Sequence, residues 1–131
     1  MRMIPIALMA CLGLAACVED PEVAGPMAFA QDCAACHGSD AMGAGDFGRT
    51  LIRQPPDLTT LARRNGGVFP RDYVMSTIDG YVRGAHFSAA MPVFGAGDMG
   101  PTIVVENADG TGTPVPARLL ALADYLETLQ R

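Results

Sequence analysis

The stretch Phe29–Asp40, FAQDCAACHGSD, places Cys33, Cys36 and His37 within five positions. A C-x-x-C pair serves as a redox dithiol, as half of a zinc site, or as the two anchors of a covalently bound haem. A thioredoxin-like dithiol belongs in a βαβ unit, but the residues flanking this pair follow a helical pattern. A zinc ion needs two more ligands, and the remaining imidazoles are His37, badly spaced directly after Cys36, and His86. Haem attachment needs nothing outside the motif. Two thiols one helical turn apart add to the two vinyl groups, and the next residue offers an imidazole nitrogen to the iron.

The N-terminal residues bear on which cysteines remain for chemistry. MRMIPIALMACLGLAAC carries one positive charge, at Arg2, then an uncharged apolar run from Met3 to Ala16. That run is short for a bilayer span of about 20 residues but suits the apolar region of an export signal. It ends in Leu14-Ala15-Ala16-Cys17, which resembles the bacterial lipobox. The resemblance implies cleavage before Cys17 and acylation of its thiol, so residues 1–16 are read as a signal peptide and 17–24 as a lipid-attached tether. Cys11 leaves with the signal. Cys33 and Cys36 are then the two cysteines left for chemistry, in an exported chain where free thiols would otherwise oxidise.

Residues 25–131 are read as one domain. The formal net charge is -5, and the chain contains no lysine. Without a basic stripe to replace counterions on phosphate, nucleic acid is excluded as a partner. A basic or dipolar protein partner suits this surface better. The 15 Gly and 10 Pro predict a loop-rich fold. A helix is expected to start near Gly25-Pro26, with Phe29, Cys33 and Cys36 on one face, and to end at Gly38. Ala41–Gly48, AMGAGDFG, is a glycine-rich loop. Short helices are expected at 58–64 and from Pro70 to Gly80, the latter with Tyr73, Val74 and Ile78 on its apolar face. TIVVE at 102–106 predicts a small β-hairpin near 102–113. Residues 116–130 form the clearest helix, started by Thr113-Pro114, with a stripe of Leu119, Leu122, Ala123, Leu126 and Leu129. So few short helices bury a modest core, which a large apolar cofactor would complete.

Three separated segments resemble the class I cytochrome c family, across Gly25 to Gln130. Gly25 and Phe29, eight and four residues before Cys33, are similar to the family's N-terminal helix, whose glycine lets another helix cross closely. Met91-Pro92-Val93-Phe94-Gly95 resembles its distal methionine segment. Leu122-Ala123-Asp124-Tyr125-Leu126 resembles its C-terminal helix, whose aromatic packs on the first. The resemblance implies an all-α fold of three to five short helices wrapped around one covalent haem c. It makes Cys33 and Cys36 the thioether anchors, His37 the proximal iron ligand and Met91 the distal one. The insertion between Gly97 and Thr113 departs from a minimal member of the family.

Met91 also stands out by context, in a Gly/Pro-rich segment 54 residues after His37. Met42, Met75 and Met99 are weaker candidates, and His86 is the rival ligand. Arg83, or another arginine, is a candidate partner for a haem carboxylate, and the carbonyl of Pro55 or Pro56 for the His37 ring N–H. The sequence therefore reads as a periplasmic, lipid-anchored monohaem cytochrome passing single electrons between redox proteins such as a dehydrogenase, reductase or terminal oxidase. With both axial positions filled, no open site remains for enzymatic turnover. A haem-bearing subunit of a larger oxidoreductase is the second reading, and a gas sensor from which Met91 departs is the third.

Overall fold

The computed structural model of the protein describes residues 20–82, 90–107 and 109–131. Helix α1 spans Pro21–Asp32 and α2 Ala34–His37. Further on come α3 (Leu61–Arg64), α4 (Arg71–Asp79), a hairpin of β1 (Thr102–Glu106) and β2 (Gly112–Pro116), and α5 (Ala117–Thr128). The fold is thus helix-dominated with one small antiparallel sheet, as expected for a small cytochrome c fold.

α1 begins earlier than Gly25, inside the stretch assigned to the tether. Asp20 caps it, its carboxylate accepting from Glu22 N–H at 3.0 Å, and Pro21 occupies the first helical position. The acidity of VEDPEVA suggested a solvated linker, but Asp-Pro-Glu is also the signature of a helix start. Pro26 lies inside the helix. The helix is interrupted at Cys33, which separates α1 from α2 while still donating to the Phe29 carbonyl at 2.9 Å.

α1 and α5 cross at Gly25. A Cβ there would lie 2.4 Å from the Ala121 carbonyl oxygen and 2.8 Å from Tyr125 Cβ. One turn on, Phe29 meets Tyr125 with ring centroids 5.5 Å apart and planes tilted by 59°. Phe29, Leu119, Leu122 and Leu126 are buried in one cluster with Val74 and Ile78 of α4. Burying each large side chain contributes roughly 1.5–3 kcal/mol. Ala121 is buried too, outside the expected stripe, because the Gly25 crossing covers it. Arg71 of α4 pairs with Asp124 and Glu127 of α5, and Arg118 of α5 with Asp32 of α1 at 2.6 Å.

The hairpin pairs Ile103 with Val115 and Val105 with Thr113. β2 continues to Pro116, so Thr113-Pro114 belongs to the strand rather than to a helix start. Val115 is buried and fixes that register. The first amides of α5 find partners across the hairpin base: Ala117 N–H donates to Pro101 O at 2.8 Å and Arg118 N–H to Met99 O at 3.0 Å.

Gly25→Val forces the crossing helices apart. We expect an unfolding free energy lower by about 1–3 kcal/mol, measured by denaturant titration; an unchanged midpoint would show that the crossing can widen freely.

Candidate functional site

Cys33, Cys36 and His37 stand on one and a half turns of helix whose C-terminal carbonyls need partners. The glycine-rich loop supplies them. Gly43 N–H donates to His37 O at 2.7 Å, Gly45 N–H to Cys36 O at 3.1 Å and Phe47 N–H to Ala35 O at 2.9 Å. The approach is close enough that a Cβ on Gly48 would sit 2.1 Å from the Cys36 carbonyl oxygen. The sequence shows the glycines, but their common partner, the α2 backbone, is set by the fold.

The three side chains line a cavity of about 790 Å³ with mostly apolar walls. That lies within the roughly 300–1,000 Å³ of pockets that take sizeable organic ligands. Phe29, Leu122 and Leu126 form one side, and Tyr73, Val74, Thr77 and Ile78 of α4 another. The segment from Leu51 to Leu61 closes a third, and Met91, Pro92 and Phe94 a fourth. Among the described methionines, Met91 alone lines the cavity. Met99 is buried elsewhere, and Met27 and Met42 are exposed. Of the expected apolar face of α4, Val74 and Ile78 are buried, while Tyr73 lines the cavity and remains 55% exposed. His86, Arg83 and Cys17 lie outside the described residues.

Burial lowers the His37 pKa, opposed by the Pro56 carbonyl beside the ring. The imidazole is therefore neutral at physiological pH, the form that binds a metal. Although Pro56 acts on the ring, no group completes a hydrogen bond to its buried Nδ1. That nitrogen is shielded from the open cavity, so it is not the ring atom that would meet an occupant. Burial first, then the Asp32 carboxylate, pushes the Cys33 thiol up to about 12. Both Cys33 and Cys36 are free and half-buried. A cavity lined by two thiols, a neutral imidazole, a thioether and apolar walls fits covalent haem.

The segment preceding α3 is held from a distance. The Asp57 carboxylate accepts from Thr59 N–H at 2.8 Å and Thr59 Oγ1 at 2.6 Å, and Arg131 reaches its other oxygen at 3.2 Å. Gln130 accepts from Ala62 N–H and donates to Leu58 O, both at 2.9 Å. Leu58 and Leu61, both on the cavity wall, are thus fixed by residues beyond α5.

The sequence model of the family described as Cytochrome c matches residues 23–130. The chain belongs to the cytochrome c family. It is a haem c electron-transfer protein, with the haem covalently bound. No curated protein and no solved structure shows significant similarity to it.

The Thr59 hydroxyl, together with its amide and Arg131, holds Asp57 below the ordinary carboxylate range. Its contribution is present above the unfolded pKa of about 4 and is lost as pH falls through the lower folded value. Asp57→Ala should cost about 1 kcal/mol at neutral pH, by removing a cap. In denaturant titrations the gap from wild type should stay constant from neutral pH down to mild acid and close below that; a gap that persists in strong acid would refute the assignment.

Proposed function

We propose that this is a lipid-anchored, periplasmic monohaem cytochrome that carries single electrons between redox proteins, with Cys33 and Cys36 as thioether anchors, His37 as proximal ligand and Met91 as distal ligand. One observation carries the ligand set: all four side chains line the same cavity, and Met91 is the described methionine that does so. Haem c supplies one-electron exchange between ferric and ferrous iron.

The chain's own residues set the conditions for that exchange. The loop amides bonded to the Ala35, Cys36 and His37 carbonyls hold the imidazole in place, so its position need not change with oxidation state. Met91 is held from the other side, because its segment packs on the end of α4: a Cβ on Gly95 would lie 1.9 Å from Asp79 Oδ1. A thioether ligand and apolar walls both favour ferrous iron, so the reading implies a positive reduction potential. Exposed Ile52, Tyr73 and Val93 adjoin or line the cavity, giving a partner apolar surface to meet there. The second reading, a subunit of a larger oxidoreductase, has its own support in the hairpin, where Val104 is 70% exposed.

Met91→Ala should abolish the far-red iron–sulfur charge-transfer band of the ferric protein, and His86→Ala should keep it; the reverse would transfer the ligand role to His86. Cys17→Ser should move the protein from the membrane fraction to the soluble periplasmic fraction. Retention in the membrane would refute the lipid anchor without touching the haem site.

A further inference from the structure

The hairpin has two outer edges, and they differ in what they offer. Asn107 N–H donates to Thr111 O at 2.7 Å and Ala117 N–H to Pro101 O at 2.8 Å, and both pairs continue the register that sets Val104 opposite Pro114. Bonded and non-bonded pairs alternate along an antiparallel ladder. Ile103–Val115 and Val105–Thr113 are therefore the bonded pairs, and Thr102, Val104 and Glu106 turn their backbone N–H and C=O groups outward. On β2 the outward positions are Gly112, Pro114 and Pro116, and the prolines have no N–H to give. That edge is closed to a further strand. β1 carries none of the usual protections, neither proline nor lysine nor bulge. Among the described residues no hydrogen bond reaches its outward groups, and Thr102, Ile103, Val104 and Glu106 are exposed. A Cβ on Gly112 would lie 2.6 Å from Val104 Cγ1, so that methyl rests over β2 rather than across the free edge.

We propose that the outer edge of β1 pairs with the same edge of a second copy of this chain, making a four-stranded antiparallel sheet across a twofold axis. The sequence Thr102-Ile103-Val104-Val105-Glu106 fits itself in that arrangement. With Val104 opposite Val104 of the second copy, Thr102 falls opposite Glu106. At each of these pairs the outward N–H of one strand meets the outward C=O of the other. Val104 packs on its counterpart on one face, and Ile103 meets Val105 of the second copy on the other, as β-branched cross-strand pairs that stabilise a sheet. Both apolar exposures of the strand, 41% at Ile103 and 70% at Val104, are thereby covered. Glu106 is the one charged residue of β1, and the twofold register keeps its two copies at opposite ends of the seam. The acidic chain therefore brings no like charges face to face there. A strand from another protein would require none of this self-complementarity. Closure follows from the prolines: once the β1 edges are joined, the edges left are those of β2, and assembly stops at two copies. Five residues a side are fewer than the roughly 20–30 of a standard stable interface, so the copies exchange reversibly and pairing depends on concentration.

The test is sedimentation velocity of the purified haem-loaded protein, run from about 1 µM to about 1 mM. The weight-average mass should rise with concentration and level off at two copies. Over the same range amide exchange should slow at Thr102, Val104 and Glu106 and stay unchanged at Gly112. Val104→Lys sets two cations face to face at the centre of the seam and should raise the dissociation constant by about tenfold or more. Val104→Pro copies onto β1 the device that closes β2. Its ring faces outward, so the hairpin keeps its own bonds while the chain should remain a single copy at every concentration. Val68→Lys, at an exposed valine outside the hairpin, should match wild type. A mass of one copy throughout overturns the proposal, and such a chain recovered bound through β1 to a different protein assigns the edge to that partner instead. Association that Val104→Lys leaves untouched, or growth beyond two copies, overturns it as well. None of these readouts depends on which residues hold the iron.

Discussion

The missing Cβ of Gly25 sets the spacing of the molecule. Because nothing projects there, the backbone of α1 rests on the Ala121 carbonyl, and Phe29 reaches Tyr125 one turn later. α5 can then bury Leu119, Leu122 and Leu126 against α1 and α4 together. Two of these leucines have a second task, since Leu122 and Leu126 also line the cavity. The same side chains that join the helices therefore form the apolar wall of the site. A change in the crossing changes the shape of the cavity.

A second constraint acts on the other side. α2 is too short to satisfy its own ends, so its carbonyls take amides from the Gly43–Phe47 loop. His37 is consequently fixed through its backbone rather than through its ring, whose Nδ1 has no partner. The main chain beneath the imidazole is held in place, and the Pro56 carbonyl lies beside the ring. Phe47 is more than half exposed, so the loop meets solvent with a side chain that plays no part in this bonding.

What could be read from the sequence was local. Cys33, Cys36 and His37 stand out by spacing and the α5 stripe by period, while Gly25 and Phe29 stand out through their resemblance to the family's first helix. The features missed were those that depend on distant partners. The interruption at Cys33 has no glycine or proline to announce it. The early start of α1 was hidden because Asp20 and Glu22 read equally well as solvated charge and as helix-start signals. β2 extends to Pro116 because Val115 is buried under the fold, which a turn-rich GTGTP stretch does not reveal. Arg53 and Arg64 reach the cavity wall on a segment braced by Gln130 and Arg131, more than sixty residues away in the chain. No local pattern marks them out from Arg63.

The junction of β2 and α5 has a mechanical consequence. Pro116 ends the strand and Ala117 begins the helix, with no intervening turn, and the Ala117 and Arg118 amides are bonded back across the base of the hairpin. The hairpin is therefore a rigid handle on α5 rather than an appendage on a hinge. Any body that grips the exposed Ile103 and Val104 is held at a set distance from the wall formed by Leu122 and Leu126. Electron tunnelling weakens steeply with separation, so a stiff handle fixes the transfer rate along with the docked pose.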